Sequence, residues 1–199
     1  MSNTVDNDKR RFLTTAASVV VGGAGAAAVA VPFVASMLPS AKAQAAGAPV
    51  DVDISKLELG QLMTIEWRGK PVWIYRRTAE TVTNLTSQNA SLKDPESTVT
   101  KQQPDYCVNE SRSIREELMV LVGVCTHLGC SPTHRPELAP EDLGPEWKGG
   151  FFCPCHGSRF DLAGRVFQGV PAPINLEVPP YHFLGDNRIV IGEDTQGAA

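Results

Sequence analysis

The sequence predicts a mainly β protein in which an antiparallel β head is tethered to one N-terminal transmembrane helix. The 199-residue chain has 15 prolines and 17 glycines, a content that favours a loop-rich β domain over a helical bundle. No charged residue occurs between Phe12 and Ser40, so this block has the composition of a membrane segment. Several short apolar runs further along the chain have the length and composition of strands.

The overall composition limits the possible partners. A length of 199 residues allows one ordinary domain and an appendage. The formal net charge of -4 is mild, so we expect no nucleic-acid-binding surface.

The N-terminal block has the length of a membrane anchor. About 20 apolar residues cross a bilayer, and the predicted transmembrane helix over residues 13–38 exceeds that length. Residues 1–12 end in a basic flank and are therefore predicted to stay in the cytoplasm, so that the head is exported. The order Lys9-Arg10-Arg11-Phe12-Leu13 resembles a twin-arginine export signal, with Lys in the first Arg position.

A cleaved signal peptide is the alternative to a retained anchor. Ala41–Ala43 and Ala43–Ala45 both resemble small-residue cleavage sites. The apolar run is longer than the roughly 7–15 residues of a typical signal core, which favours a retained anchor. Residues 39–49 are predicted to form a hinge or linker, with a passive spacer as the alternative reading, and residues 50–199 the head.

Strand patterns recur through the head. Residues 61–67 and 70–75 predict a hairpin around Arg68-Gly69, and residues 118–124 predict a buried strand that ends at Cys125. Residues 78–103 are expected to hold a short helix and loops. A turn at Asp186-Asn187 leads into a closing strand over 188–191.

Prolines and glycines predict one long loop over residues 131–152. His134 in that loop and His182 are predicted to be surface histidines. Cys107 has no neighbouring ligand motif and is predicted to be a packed or free thiol.

Two short motifs concentrate the ligands that soft metals prefer. The first is Cys125-Thr-His127-Leu-Gly-Cys130, and the second is Cys153-Pro-Cys155-His156-Gly-Ser158. Three kinds of site are consistent with them: tetrahedral zinc, disulfides with incidental histidines, or a two-iron cluster. Zinc leaves two cysteines without a role, and disulfides alone leave two histidines without one. The ligand count therefore favours the cluster.

The two motifs, with the later Pro171-Ala-Pro-Ile-Asn-Leu, resemble the Rieske iron–sulfur subunits of bacterial cytochrome bc1 complexes. The resemblance covers the whole chain and implies a Rieske-type antiparallel β head with a cluster-binding subdomain at about 120–173. It implies one [2Fe–2S] cluster with Cys125 and Cys153 on the inner iron and His127 and His156 on the outer iron. It also implies a Cys130–Cys155 disulfide, a tuning hydroxyl on Ser158 and a proline loop over residues 169–173.

The resemblance also implies a function. The chain is expected to be the electron-transfer subunit of a quinol–cytochrome c oxidoreductase, a translocase, with cytochrome b and cytochrome c1 as partners in a dimeric complex. His156 is the expected catalytic residue, which hydrogen-bonds the quinol and accepts a proton. The expected location is the bacterial inner membrane, with a single pass and a periplasmic head. The alternatives are a subunit of a b6f-like or arsenite-oxidase-like complex, and a zinc-stabilised exported binding module.

Two residues depart from the family pattern. Phe160 stands where many members have a Tyr whose hydroxyl bonds a cysteine sulfur, so we expect a lower reduction potential than in Tyr-bearing relatives. Val170 is an extra residue before Pro-Ala-Pro, relative to the shorter Gly-Pro-Ala-Pro form.

Overall fold

The computed structural model describes residues 6–193, in two compact units that divide after Ala45. The first five residues of the predicted cytoplasmic segment and the last six of the predicted head lie outside the described residues.

The N-terminal unit is dominated by one long helix, α1 (Asn7–Ala35). Asp6 caps it by accepting hydrogen bonds from the backbone N–H groups of Asp8 and Lys9. Its 29 residues are roughly 43 Å long at 1.5 Å per residue, and its apolar side chains are exposed. Within residues 6–193, α1 is the one helix that is long and apolar enough to cross a membrane. It begins six residues before the predicted span because Asp6 supplies the cap.

Part of the predicted linker is helical. A second helix, α2 (Ala41–Ala46), begins after Ser40, whose hydroxyl accepts a hydrogen bond from the backbone N–H of Ala43. An alanine-rich sequence has a high helix propensity, so the N-cap is enough to start a turn here.

The head consists of three three-stranded sheets. Their strand orders are β1-β9-β8, β2-β3-β4 and β5-β6-β7, and every strand pair among the described residues is antiparallel. The strands are β1 (Val50–Asp53), β2 (Leu62–Trp67), β3 (Lys70–Arg76), β4 (Leu118–Val122), β5 (Thr133–Leu138), β6 (Lys148–Cys153), β7 (Ser158–Asp161), β8 (Tyr181–Phe183) and β9 (Arg188–Ile191). The mainly β antiparallel prediction is therefore confirmed.

The predicted hairpin joins β2 and β3. Arg68 and Gly69 form its two-residue turn, both with positive φ (52° and 71°), the geometry of hairpins whose strands twist correctly. The predicted short helix is α3 (Ala79–Ser87), capped by the Thr78 hydroxyl. All five residues of β4 are buried, as the apolar run predicts.

The prediction of one long loop over 131–152 is wrong, because β5 and β6 both lie in it. Pro136 is tolerated because the β5–β6 register shifts between Arg135 and Leu138, where a ladder hydrogen bond is not needed. Gly150 is required inside β6 because a Cβ there would collide with the carbonyl oxygen of Phe160 on β7. Two of the residues that suggested a loop are thus compatible with strands, Pro136 through the register shift and Gly150 through close packing against β7.

The core joins the sheets around β4. The Trp73 ring on β3 stacks on the Phe151 ring of β6, with centroids 4.6 Å apart, and so connects two of the sheets. Fully buried Arg112 donates to the carbonyl oxygens of Ala163 and Leu176, at 3.2 and 2.7 Å. Burial lowers the pKa of Arg112 to about 10, so the side chain stays charged at neutral pH.

Cys107 is a buried free thiol, as predicted. Its sulfur lies 3.8 Å from the Tyr181 hydroxyl, and burial raises its pKa to about 11.

Candidate metal centre

The two motifs form loops at the ends of strands in different sheets. The first loop follows β4, and the second connects β6 to β7, whose paired residues Cys153 and Ser158 close it. The same backbone bond shapes both loops: Gly129 N–H donates to the Cys125 carbonyl at 3.0 Å, and Gly157 N–H to the Cys153 carbonyl at 2.9 Å. Both glycines have positive φ (83° and 77°), a conformation that other residues adopt at a cost.

A disulfide joins the loops. Cys130 and Cys155 are bonded, with their Cα atoms 6.7 Å apart, which confirms the predicted pairing. The bond connects chain segments that reach the site from two different sheets, so it fixes the distance between the loops.

Four potential ligand side chains face each other between the loops. Cys125 and Cys153 are buried free thiols within hydrogen-bond reach of one another. The imidazole rings of His127 and His156 lie with centroids 4.7 Å apart and nearly perpendicular, at 88°. His156 is exposed, whereas His127 is half-buried. The structure therefore brings together the four residues that the sequence singled out, with one histidine facing outward.

Hydrogen-bond donors converge on the Cys125 sulfur. Burial raises the pKa of the Cys125 thiol, while the His127 backbone N–H and the Ser158 hydroxyl act in the opposite direction. Donors aimed at a sulfur stabilise its thiolate form, which is the form that binds metal.

The donor set fits an iron–sulfur cluster. Nδ1 of His127 is buried and has no hydrogen-bond partner among the residues that the structure describes. Buried polar nitrogens are normally hydrogen-bonded, so this atom is available to bind a metal. The sulfurs of Cys130, Cys153 and Cys155 also lie within 4.8 Å of one another, but two of them form the disulfide. Two thiols and two imidazoles remain, the donor set of a Rieske centre.

A third segment, which consists of the proline loop over residues 169–173 and the Ile174 that follows it, is hydrogen-bonded to both loops. Ala172 N–H donates to the Ser158 hydroxyl at 3.0 Å, and the Thr126 hydroxyl donates to the Ile174 carbonyl at 2.7 Å. A cavity of about 590 Å³ lies beside His156, and its lining includes Arg159 and Val170. The sequence did not single out Thr126, because a threonine between two candidate ligands carries no local signal.

Three further residues that the sequence singled out, His134, His182 and Phe160, differ in how far they are buried. The prediction that His134 lies on the surface holds only in part: the residue is half-buried, its ring packs 5.0 Å from Tyr75 and 5.4 Å from Phe151, and burial lowers its pKa. His182 is partly exposed, with Nδ1 3.3 Å from the Glu193 carbonyl oxygen. Phe160 is fully buried in β7.

Known proteins resemble this chain along most of its length. A family model described as the Rieske [2Fe-2S] domain matches residues 49–180, and one described as the ubiquitinol-cytochrome C reductase Fe-S subunit TAT signal matches residues 1–40. The ubiquinol-cytochrome c reductase iron-sulfur subunit of Allochromatium vinosum is 59% identical over 192 residues, covering 96% of this chain and 92% of that protein. The subunit of the same description from Bradyrhizobium diazoefficiens is 42% identical over 195 residues, covering 96% and 98%.

A solved structure described as a hyperthermophilic respiratory complex III overlaps with a TM-score of 0.48 at 29% identity, covering 89% of this chain and 97% of that one. The chain belongs to the family of Rieske iron–sulfur proteins whose members include the iron–sulfur subunits of ubiquinol–cytochrome c reductases.

Proposed function

We propose that the two disulfide-joined loops hold one Rieske-type [2Fe–2S] cluster, and that the chain is the electron-transfer subunit of a quinol–cytochrome c reductase. Cys125 and Cys153 bind one iron, and His127 and His156 bind the other. The observation that carries the proposal is the pair of unbonded, buried thiols facing two imidazoles across the joined loops. The similarity to reductase subunits supports the choice of complex over a b6f-like or arsenite-oxidase-like one.

When bound, the cluster supplies a one-electron acceptor for quinol and a donor for cytochrome c1, at a potential raised by neutral imidazole ligands. The chain's own residues determine where that chemistry takes place. Cys125 and Cys153 are buried, whereas His156 is exposed, so a substrate reaches the site from the His156 side.

His156 is the proposed catalytic residue. Its imidazole hydrogen-bonds the quinol hydroxyl at a site on cytochrome b and accepts the proton at the ring nitrogen that does not face the metal. Because His156 would both hold the metal and contact the substrate, the quinol proton would be accepted next to the place where the cluster supplies its one-electron chemistry. The Ser158 hydroxyl and the His127 backbone N–H donate to the Cys125 sulfur.

The remaining parts of the chain place the head beside its partners. We propose a cytoplasmic segment over residues 1–12, a membrane span over 13–38, a hinge over 39–49 and a periplasmic head from residue 50, with the cluster-binding subdomain at about 120–173. The basic residues Lys9, Arg10 and Arg11, in the first turns of α1, support the orientation, in a bacterial inner membrane. The hinge lets the head reach cytochrome b and cytochrome c1 in turn, within a dimeric complex. The mass of the chain purified from membranes distinguishes a retained anchor from a cleaved one.

Electron paramagnetic resonance of the reduced full chain tests the cluster. We expect the low-average-g signal of a Rieske centre, with two irons per chain by metal analysis. The substitution Cys125→Ser should abolish the signal. Cys107→Ser is the matched control, because Cys107 is also a buried free thiol and should leave the signal intact. Stoichiometric zinc without the signal would instead support a zinc-stabilised binding module.

A further inference from the structure

Lys93 lies outside both motifs but touches the proline loop over residues 169–173. Its Nζ donates to the carbonyl oxygen of Val170 at 2.8 Å and to that of Ala172 at 2.7 Å. These two carbonyls lie on either side of Pro171, so one ammonium group holds both ends of the central part of the loop. Lys93 forms no ion pair with an acidic side chain of residues 6–193, so its charge is directed at these carbonyls.

The backbone around Lys93 is fixed, which makes the side chain an effective anchor. Lys93 N–H donates to the Val166 carbonyl at 2.9 Å, and the fully packed neighbour Leu92 pairs with Phe167. Gln168 closes the same contact by donating through its side chain to the Leu92 carbonyl at 3.0 Å. The Lys93 side chain therefore extends to the proline loop from a backbone segment that is hydrogen-bonded to the residues just before that loop.

The contact leads to the metal site through a short series of hydrogen bonds. Lys93 holds the Ala172 carbonyl, and the N–H of the same residue donates to the Ser158 hydroxyl at 3.0 Å. The Ser158 hydroxyl is in turn within hydrogen-bond reach of the Cys125 sulfur. A hydroxyl whose lone pair is occupied by Ala172 N–H is left with its hydrogen directed elsewhere, and the sulfur is the acceptor beside it.

We propose that Lys93 is a positioning residue that clamps the proline loop and thereby keeps the Ser158 hydroxyl aimed at the Cys125 sulfur. The clamp deepens the proposed function and rests on it where the cluster is concerned. It also accounts for Val170, the extra residue of this loop: one of the two clamped carbonyls belongs to it. Hydrogen bonds from a charged donor are about twice as strong as neutral ones, so one lysine suffices for a lengthened loop.

Three variants of the full chain test the clamp. Lys93→Met keeps the aliphatic stem and removes the ammonium, and Lys93→Arg restores a charged donor. Lys101→Met is the matched control: Lys101 is also exposed, and it lines a groove that Cys125 lines as well. The substitution Lys101→Met therefore removes one positive charge near the site without changing any contact with the proline loop. Lys93 is exposed, so neither substitution removes a buried group on which folding depends.

Hydrogen exchange at the Ala172 amide is the direct readout. The prolines at 171 and 173 have no amide hydrogen, so a peptide over residues 169–173 reports few sites. We expect exchange at Ala172 to be about tenfold faster or more in Lys93→Met, because a charge-assisted hydrogen bond is lost. Exchange in β4 should not change. Lys93→Arg should restore the slow rate, and Lys101→Met should keep it.

The reduction potential is the second readout. It should fall further in Lys93→Met than in Lys101→Met, because only the first change releases Ser158 as well as a charge. Unchanged exchange at Ala172, an equal effect in Lys101→Met, or faster exchange throughout the head including β4 would each overturn the clamp. An absent Rieske signal in the unmodified chain would overturn the proposed function instead, and the exchange comparison would still report on the clamp.

Discussion

The substitution Phe160→Tyr tests how this chain sets the potential of its cluster. Phe160 is fully buried in β7, and the alternation of side chains along a strand places it on the same face as Ser158. Because the Ser158 hydroxyl reaches the Cys125 sulfur, a hydroxyl added two residues later points toward the same side of the site. We expect it to donate a hydrogen bond to a ligand sulfur.

The expected size of the effect follows from the charge on that sulfur. A ligand sulfur carries more negative charge when the cluster is reduced, so a donor stabilises the reduced form more than the oxidised form. A difference of about 1 kcal/mol, the net value of one hydrogen bond, corresponds to a rise of about 40 mV for a one-electron couple. The measurement is a redox titration followed by electron paramagnetic resonance.

Phe152→Tyr is the matched control for Phe160→Tyr. Phe152 precedes Cys153 on β6 and pairs with Arg159, so it lies on the opposite face of the same sheet. The control adds the same hydroxyl away from the site and should leave the potential unchanged. No rise in Phe160→Tyr, a fall, or an equal rise in Phe152→Tyr would refute the reasoning. A hydroxyl left without a partner would also lower the free energy of unfolding by about 1–3 kcal/mol.

Three further predictions concern stability and the identity of the ligands. Arg112→Met should lower the free energy of unfolding by about 3 kcal/mol or more, since it orphans several buried acceptors at about 1 kcal/mol or more each. Arg188→Met, which breaks an exposed ion pair, should cost about 1 kcal/mol or less; denaturant titration compares the two. The pKa of Cys107 is raised by burial from 9.0 to about 11, so stability should fall as pH rises between these values. In Cys107→Ala, thermal melts at increasing pH should lack this part of the loss of stability. A dependence of the melting temperature on pH that is the same as in the unmodified chain would contradict the prediction. His134→Phe should keep the cluster signal because the ring packs between aromatic side chains, whereas His127→Phe should lose it; signal loss in both would make His134 a ligand candidate.

Local sequence was sufficient where the determining interactions are local. The Arg68-Gly69 turn, the apolar run of β4 and the two ligand motifs each carry their information within a few residues. The structure brings the motifs together at the distances that a shared metal site needs. The paired thiols and imidazoles were therefore predictable as a set, although their assignment to individual irons stays a prediction.

The missed features depend on contacts between distant segments. Gly150 suggested a loop, but it is there because the carbonyl oxygen of Phe160 approaches it closely. Lys93 resembles any surface lysine until the loop more than 70 residues later folds over it. His134 was expected on the surface because its neighbours in sequence are polar, whereas its neighbours in space are Tyr75 and Phe151.

The pairing of β1 with β9 determines how the head withstands a mechanical load. Residues 39–49 lead directly into β1, so any pull on the linker enters the head through that strand. β1 has one neighbour in its sheet, β9, and is paired with it over Val50–Asp53. The backbone N–H of Ile54 extends this pairing by donating a hydrogen bond to the Asn187 carbonyl at 2.8 Å. A force along β1 therefore shears several hydrogen bonds at once, and β9, the last strand among residues 6–193, acts as the anchor point of the first.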